Sequence, residues 1–233
     1  MIELRNVRFA YEGTTVLDGV SLTVEDDEFV LLAGPNGSGK TTLLRQCNGL
    51  LSPDAGTVRV NGRSVADHPV AARAAVGMVF QEPRDGFVAA TVAADVAFGP
   101  ENLGLDRKEI DERVESALTA VGMDGRGEER IDRLSGGERA RVAIAGALAM
   151  APDHLALDEP LTGLDQPARQ SVLDRLQQLH EEGRSVVYVT PDLGQVLDLA
   201  DRVIVLGDGT IVLDEPTGSD QLRDRLQAHD LRC

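Results

Sequence analysis

The chain has 233 residues, which is long enough for one large domain whose hydrophobic core folds without disulfide staples. Its 39 Asp and Glu residues against 23 Lys and Arg residues give a formal net charge of −16 at pH 7. A field of this sign repels nucleic-acid phosphates and anionic lipid headgroups, so we expect no nucleic-acid partner and no direct lipid anchoring.

Apolar runs predict the elements in chain order. Runs at 2–9, 15–24 and 29–33, with no helix between them, predict three consecutive strands that form an antiparallel piece. Residues 39–51 then predict a helix. The later predicted elements are strands at 57–60, 76–80, 155–157 and 185–189, a mostly helical lobe at 91–149, a helix at 167–180, a hairpin turning at 207–209 and a polar helix from about Ser219. This alternation is typical of an α/β protein with a parallel core sheet.

Cysteine usage and the lack of long apolar runs bound the cellular setting. The two cysteines, Cys47 and Cys233, favour a reducing, intracellular compartment over a structural disulfide. The sequence has no export signal and no run of about 18 apolar residues, so we expect neither export nor a membrane span. Any membrane role would then depend on a partner protein.

Lysine is scarce in this chain, since only Lys40 and Lys108 are lysines and the other basic residues are arginines. Acidic side chains crowd segments 25–28, 106–115 and 220–230. This pattern resembles proteins from a high-salt cytoplasm, where dense carboxylates keep the surface hydrated, and an ordinary acidic domain is the alternative. Because lysine is so rare in this chain, the lysine at position 40 indicates a functional role that arginine could not perform.

The most specific motif is Gly34-Pro-Asn-Gly-Ser-Gly39-Lys40-Thr41, which matches the phosphate-binding template G-x-x-x-x-G-K-[ST] at every fixed position. A predicted strand enters it and a predicted helix leaves it, so main-chain N–H groups can converge on the phosphates of a nucleoside triphosphate. Lys40 would reach the β- and γ-phosphate oxygens, and the Thr41 hydroxyl would ligate Mg2+. A glycine-rich turn without a ligand is the alternative.

The adjacent acids Asp158 and Glu159 end another predicted strand. Asp158 would anchor Mg2+ through water, and Glu159 would orient and deprotonate the attacking water. A similar acidic pair, Asp214 and Glu215, follows the C-terminal hairpin with no second phosphate loop to serve. We therefore expect that later pair not to contact nucleotide.

Residues 134–138 read Leu-Ser-Gly-Gly-Glu at the start of a predicted helix, with Ser135 as its N-cap and two glycines that open the main chain to an anion. On its own this motif could be a plain helix cap. Together with the phosphate loop, the 158–159 pair and Leu164-Asp165, it resembles the signature of ATP-binding subunits of ATP-binding-cassette (ABC) transporters, and the resemblance covers essentially the whole chain.

The resemblance implies one ABC ATP-binding domain over 1–233, a P-loop NTPase with a parallel core sheet, an N-terminal antiparallel β subdomain and a helical lobe inserted at about 85–150. It also implies two protomers that sandwich two ATP molecules with Mg2+, the signature of one closing over the phosphates held by the other. The implied ATP-binding residues are Tyr11, Gly34, Pro35, Asn36, Gly37, Ser38, Gly39, Lys40, Thr41, Thr42, Ser135, Gly136, Gly137 and Asp165. The implied Mg2+ ligands are Thr41, Gln81 and Asp158, and the implied catalytic residues are Glu159, Lys40 and Gln81.

Three of these residues carry separate implied roles. Tyr11 would stack on adenine. Gln81 would sense Mg2+ and the attacking water while it links the sheet to the helical lobe. Asp165 would cross the dimer seam beside the site of the other protomer.

One position departs from the family pattern. Family members usually carry a histidine after the strand equivalent to 185–189, where it contacts the γ-phosphate, and this chain has Pro191, which cannot donate a hydrogen bond. His180 cannot substitute, because it precedes a strand of about six residues and so lies about 20 Å away. Loss of one charge-assisted donor predicts hydrolysis slower by about ten- to a hundredfold, with nucleotide binding retained. The signature could still complete a faster site in a partner that keeps the histidine.

A narrower resemblance is to the ATPases of energy-coupling-factor importers and of the related cobalt and nickel uptake systems. The segments that carry it are 48–53, 79–83, 91–105, 141–146 and 148–152. Those complexes import vitamins or transition-metal ions through a membrane-embedded coupling subunit and a substrate-binding subunit, so the resemblance implies a place on the cytoplasmic face of the membrane. It also implies that a groove behind Gln81, including Phe87 and the helix from Thr91, receives a coupling helix, unless that stretch is only core of the lobe.

Two other function classes stay open on the sequence. One is a soluble single-cassette ABC ATPase not tied to transport. The other is a nucleotide-binding, weakly hydrolytic structural subunit, which Pro191 favours. The transported substrate and the choice between a homodimer and a heterodimer do not follow from these residues.

Overall fold

Two strands open the chain, and strands and helices are interspersed after them. The computed structural model describes residues 1–81, 86–194, 196–229 and 231. The strands are β1 (Ile2–Tyr11), β2 (Thr14–Val24), β3 (Phe29–Ala33), β4 (Ala55–Val60), β5 (Arg63–Ser64), β6 (Val76–Val79), β7 (His154–Asp158), β8 (Ser185–Val189), β9 (Arg202–Gly207) and β10 (Thr210–Pro216). The helices are α1 (Lys40–Cys47), α2 (Pro69–Ala75), α3 (Val92–Asn102), α4 (Arg107–Ala120), α5 (Gly136–Ala149), α6 (Gln166–Glu181) and α7 (Leu222–Ala228), with 3-10 turns at Ile131–Arg133 and Leu197–Leu199.

Within the described residues, the strands form two sheets. Strands β2, β1, β4 and β5 pair in that order as an antiparallel sheet, and a six-stranded sheet has the order β10-β9-β3-β8-β7-β6. In the larger sheet every neighbouring pair is parallel except β9 with β10, which form the edge hairpin. The predicted α/β class, with a parallel core sheet and an antiparallel N-terminal part, is confirmed.

The predicted pairing of 29–33 with the two preceding strands is wrong. Strand β3 lies inside the parallel sheet between β8 and β9, and β4 takes the place beside β1. The physical reason is burial, because all five residues of β3 are buried on both faces whereas β2 mixes buried and exposed positions. The lack of an intervening helix therefore does not decide which sheet a strand joins.

The core sheet is covered on both faces, and β3 shows this residue by residue. Phe29, Leu31 and Ala33 pack into a core shared with the helical lobe and α6, whereas Val30 and Leu32 pack into a core shared with α1 and the antiparallel sheet. Alternate residues of one strand thus serve two cores. The phosphate loop, which follows β3 directly, is anchored by this double burial.

Most element boundaries agree with the sequence, and the differences are local. Helices α3, α4 and α5 form the predicted lobe, although its expected start at residue 85 lies outside the described residues. Helix α1 ends at Cys47 instead of continuing to 51, because Gly49 at φ 72° reverses the chain. Helix α7 begins at Leu222 rather than at about Ser219. Cys47 is a buried free thiol, and Cys233 lies outside the described residues.

A buried polar cluster joins the two sheets at the start of β7. His154 is 1% exposed, with its Nδ1 2.5 Å from the Ser185 hydroxyl and its Nε2 2.8 Å from Asn61 Oδ1 in the β4–β5 turn. Burial lowers the pKa of His154 to about 4. The imidazole is therefore neutral at pH 7, and both ring nitrogens have a partner that fixes β7 beneath the smaller sheet.

Helix lengths suit a compact α/β domain. The longest helix among the described residues is α6, which has 16 residues and spans about 24 Å. Among the described residues, no helix has the length and apolar character that crossing a membrane requires.

Candidate nucleotide-binding site

A polar cleft of about 370 Å3 lies at the carboxyl ends of β3 and β7. In open parallel sheets, ligands bind beyond these strand ends. The cleft is lined by Val16, Asn36, Gly37, Gly39, Lys40, Thr41, Thr42, Gln81, Asp158 and Glu159. The structure therefore brings the phosphate loop, the acidic pair and Gln81 together, as the sequence predicts. Val16 was not predicted as a lining residue, because its place in the β2 run gives no signal of a site.

The phosphate loop needs glycine at two positions where the main chain approaches a neighbour. At Gly34, φ is 138° and a Cβ would lie 2.1 Å from the Leu206 carbonyl oxygen. At Gly39, φ is 104° and a Cβ would lie 2.9 Å from the Val16 carbonyl oxygen. Any larger residue would displace the loop, whose path directs the first amides of α1 into the cleft, where they have no intrahelical acceptor.

Lys40 reaches back across this loop. Its Nζ donates to the carbonyl oxygens of Gly34 at 2.8 Å and Pro35 at 2.9 Å. Burial lowers the pKa of Lys40, and the charges of Asp158 and Glu159 act in the opposite direction. The ammonium group is thus held above the loop amides, where a phosphate would find both kinds of donor.

A hydrogen bond joins Thr41 and Asp158 inside the cleft. The Thr41 hydroxyl donates to Asp158 Oδ2 at 2.5 Å, and Asp158 is 2% exposed. Burial raises the pKa of Asp158, while the Thr41 hydrogen bond and Lys40 lower it. Hydroxyl and carboxylate oxygens are the ligands that Mg2+ prefers, and the buried Ser38 hydroxyl of the loop has no partner among the described residues. The residues present therefore fit a magnesium-bound phosphate chain.

Glu159 leaves β7 through an uncommon backbone conformation. Its φ is 49°, in the left-handed region, and its N–H donates to the Val189 carbonyl at 3.0 Å. Its carboxylate lies 3.5 Å from the Thr162 hydroxyl and lines the cleft. Strain of this kind collects at functional sites, where surrounding bonds hold it in place.

The signature motif is a rigid helix start outside this cleft. Ser135 caps α5 in a reciprocal capping box with Glu138. Glu138 also pairs with Arg126 at 2.7 Å, and its pKa falls to about 2, mainly because it accepts the Ser135 backbone N–H. Gly136 and Gly137 supply the next amides of the helix. None of the three signature residues lines the cleft that holds Lys40.

Signature and acidic pair meet through the loop after β7. A Cβ on Gly137 would lie 2.7 Å from the Gly163 carbonyl oxygen, whereas a Cβ on Gly136 would meet nothing within 4 Å. Asp165 ends this loop as the N-cap of α6, accepting from the Ala168 N–H at 2.9 Å. Its implied role at a dimer seam stays a prediction.

Tyr11 stands at the end of β1, 42% exposed, with its ring edge-on to Phe9 at a centroid distance of 4.8 Å. It is not among the residues that line the cleft. Adenine stacking on this exposed ring stays a prediction.

The second acidic pair and His180, which the sequence analysis set aside as site residues, both have other partners in the structure. Asp214 binds Arg202 at 2.5 Å and 2.6 Å, and Glu215 pairs with Arg225, so the second acidic pair is used in ion pairs on the hairpin side. His180 packs edge-on against Phe29 at 5.8 Å, at the start of β3 and therefore at the opposite end from the phosphate loop.

Comparison with known proteins decides the family. A sequence model of the family described as ABC transporter matches residues 17–162. The chain belongs to the ABC transporter ATP-binding family.

Its relatives point to a narrower group. A putative ABC transporter ATP-binding protein of Halobacterium salinarum is 64% identical over 91% of this chain and 92% of the relative. A cobalt import ATP-binding protein of Syntrophus aciditrophicus is 45% identical over 92% and 78%. An energy-coupling factor transporter ATP-binding protein of Methanothermobacter thermautotrophicus is 44% identical over 92% and 70%. The predicted resemblance to energy-coupling-factor and cobalt-import ATPases is confirmed.

Solved structures agree with the fold. A dimeric ATP-binding cassette in a post-hydrolysis state, bound to ADP and phosphate, has a TM-score of 0.86 with this ABC domain at 29% identity, over 94% of this chain and 100% of that chain. The ABC cassette fold predicted from the motifs is thus confirmed.

The two signature glycines give a matched pair of substitutions. We expect Gly137→Ala to lower the free energy of unfolding by about 1–3 kcal/mol, because its Cβ meets the Gly163 carbonyl. Gly136→Ala meets nothing and should be neutral or slightly stabilising in α5. Denaturant unfolding in concentrated salt measures both, and equal stability of the two variants would contradict the contact.

Proposed function

We propose that this ABC protein is the ATP-hydrolysing subunit of an importer of the energy-coupling-factor type, which moves a vitamin or a transition-metal ion. The observation that carries the proposal is the single cleft that joins Lys40, Thr41, Asp158, Glu159 and Gln81. The names of the cobalt-import and energy-coupling-factor relatives support the transport class.

Each group of the cleft has a task that follows from its geometry. The loop amides and Lys40 bind the β- and γ-phosphates, and the glycine conformations keep those amides convergent. Thr41, Asp158 and Gln81 would hold Mg2+, which when bound neutralises phosphate charge. Glu159 orients the attacking water and accepts its proton, from a backbone position fixed by Val189.

We further propose that the active unit is a pair of protomers. Ser135, Gly136 and Gly137 present helix-start amides outside the cleft of their own chain, so they are available to a nucleotide held by another cassette. The dimeric cassette bound to ADP and phosphate supports this arrangement. Closure with ATP and reopening after hydrolysis would then make nucleotide state an effector of a docked membrane protein.

Calorimetry and phosphate release in concentrated salt test the ATP site. We expect Lys40→Ala to abolish measurable ATP binding, since the loop loses its only lysine, and Glu159→Gln to bind ATP but hydrolyse it at least a hundredfold more slowly. Lys108→Ala, an exposed lysine on α4, is the control and should leave both unchanged. ATP binding by Lys40→Ala at wild-type affinity would refute the site.

Pro191 is the second element of the proposal. It lines a cavity beside Glu159, at the position where relatives of the family usually place a histidine on the γ-phosphate, and proline offers no donor. We propose that this chain's own site hydrolyses ATP slowly while its intact signature completes a faster site in a histidine-containing partner. A weakly hydrolytic structural subunit is the limiting form of this proposal.

Two variants at position 191 distinguish the effect of the missing hydrogen-bond donor from the effect of the proline ring. Pro191→His should raise ATP turnover of the purified chain about ten- to a hundredfold, the size of one charge-assisted donor. Pro191→Ala removes the ring without adding a donor and should not raise turnover. A wild-type rate equal to that of histidine-containing relatives, unchanged in Pro191→His, would overturn the idea.

A groove on the helical lobe is the proposed docking place for a coupling helix of the membrane subunit. It has a volume of about 160 Å3, and it lies between the end of β6 and helices α3 and α5. Its wall is largely apolar, including Met78, Phe80, Phe87, Phe98 and Met150. Phe98 is 47% exposed and Val88 60%, an amount of apolar surface that a partner helix would cover. This docking would place the chain on the cytoplasmic face of the membrane.

Membrane recovery tests the groove. We expect Phe98→Asp to shift the chain from the membrane fraction of its native cells to the supernatant, because a carboxylate in the groove opposes apolar docking. Val70→Asp on α2 is the matched control, since Val70 is 75% exposed and lies outside the groove. Wild-type protein found wholly in the supernatant would favour a single-cassette ATPase outside transport.

A further inference from the structure

A second cavity reaches Glu159 from the side away from the phosphate loop. Its volume is about 170 Å3, room for several water molecules. It is lined by Glu159, Leu161, Thr162, Arg169, Tyr188, Thr190, Pro191, Asp192 and Val196. Glu159 lines both this cavity and the nucleotide cleft. Contacts that hold the cavity wall in place therefore also influence the position of the Glu159 carboxylate.

Among the described residues that line this cavity, Arg169 is the only cation. It stands in the first turn of α6, and its Nε donates to the Leu164 carbonyl oxygen at 3.0 Å. Its side chain also lines the cavity. Arg169 is half-buried, is held to the loop through Nε, and shares the cavity wall with Glu159.

Tyr188 on β8 is the buried aromatic side of the same cavity. Burial raises the pKa of its phenol, the charges of Asp192 and Glu159 raise it further, and the Arg169 charge lowers it. Tyr188, Arg169 and Glu159 all line this cavity.

Arg169 also binds the middle of the loop that follows Glu159. The 161–165 loop is joined at its start to Glu159, whose carbonyl accepts the Thr162 N–H at 3.2 Å, and at its end to α6 through the Asp165 cap. Between these points Gly163 touches the signature at Gly137. Among the described residues of α6, Arg169 is the one whose side chain donates a hydrogen bond to the interior of this loop, at Leu164. Helix α6 is itself anchored in the core by its buried face.

We propose that Arg169 is a positioning residue for ATP hydrolysis: its hydrogen bond to Leu164 fixes the 161–165 loop to α6, and the fixed loop holds the carboxylate of Glu159, at the start of the same turn, in place. The inference rests on the proposed function, since it assigns hydrolysis to Glu159. Because the same loop touches Gly137, a displacement of the signature helix would reach Glu159 of its own chain through this loop.

Single-turnover hydrolysis, with protein in excess over ATP, tests the proposal even where turnover is slow. We expect Arg169→Gln to lower the rate of the chemical step by about tenfold or more, the effect of a slightly misplaced reacting group, with the ATP dissociation constant within twofold of wild type. Arg169→Lys, which keeps a charged donor without the fork, should recover part of the rate. Arg175→Gln on the same helix is the matched control, because the Arg175 guanidinium pairs with Gln178 and Glu182 on α6 and its C-terminal cap, and Arg175 is not among the described residues of the cavity wall.

Three results would overturn it: a wild-type rate in Arg169→Gln, an equal loss in Arg175→Gln, or a loss of ATP affinity that matches the loss of rate. Hydrogen exchange gives a readout that does not depend on activity. The amides of 161–165 should exchange faster in Arg169→Gln than in Arg175→Gln, and equal protection would also overturn the proposal. A wild-type chain that binds ATP without hydrolysing it would refute the proposed function instead, and the exchange result would still decide the role of Arg169 in the loop.

Discussion

The hydrogen bond between Thr41 and Asp158 is the contact on which the site depends, because it spans the sheet. Strand β8 lies between β3, which leads to Thr41, and β7, which ends at Asp158, so the two residues meet only if the three strands keep register and end together. Both faces of β3 are buried in separate cores, and this double anchoring sets where α1 begins. The two proposed magnesium ligands are therefore positioned by the packing of the whole sheet.

The site combines this rigidity with unfavourable local conformations. Gly34 and Gly39 adopt positive φ where a Cβ would meet a backbone carbonyl, and Glu159 adopts the left-handed region without being glycine. A non-glycine residue at positive φ costs of order 1–3 kcal/mol, which contacts elsewhere must offset. At Glu159 the compensation is visible in the Val189 hydrogen bond, which extends the β7–β8 ladder by one residue. Non-glycine residues elsewhere, such as Ala151, also adopt positive φ, but within the cleft these conformations lie where main chain or carboxylate would face a bound nucleotide.

Sequence patterns predicted the chemistry of the site better than the pairing of its strands. The fixed positions of the phosphate loop and the acidic pair are local, so their residues could be named before any fold was known. The sheet to which β3 belongs could not be predicted in this way, because strand pairing depends on burial on both faces and on partner strands more than 100 residues away. Val16 and Arg169 were missed for the same reason, since each reaches the site only through tertiary packing. The early end of α1 followed from Gly49, a local signal that the apolar pattern outweighed in the prediction.

Charge adds a constraint that the fold alone does not. In a chain of net charge −16, a triphosphate enters a repulsive field, so its binding depends on short-range donors inside the cleft rather than on steering. Concentrated salt screens the field but leaves contacts at 2.8 Å nearly unaffected. Main-chain amides and the half-buried Lys40 are therefore better suited than exposed cations to bind phosphates in this chain. The same reasoning applies at Pro191. The donor that we propose is missing at this position would act at short range, and screening cannot replace it, so its function could be restored only by a side chain within contact distance, on this chain or on a partner.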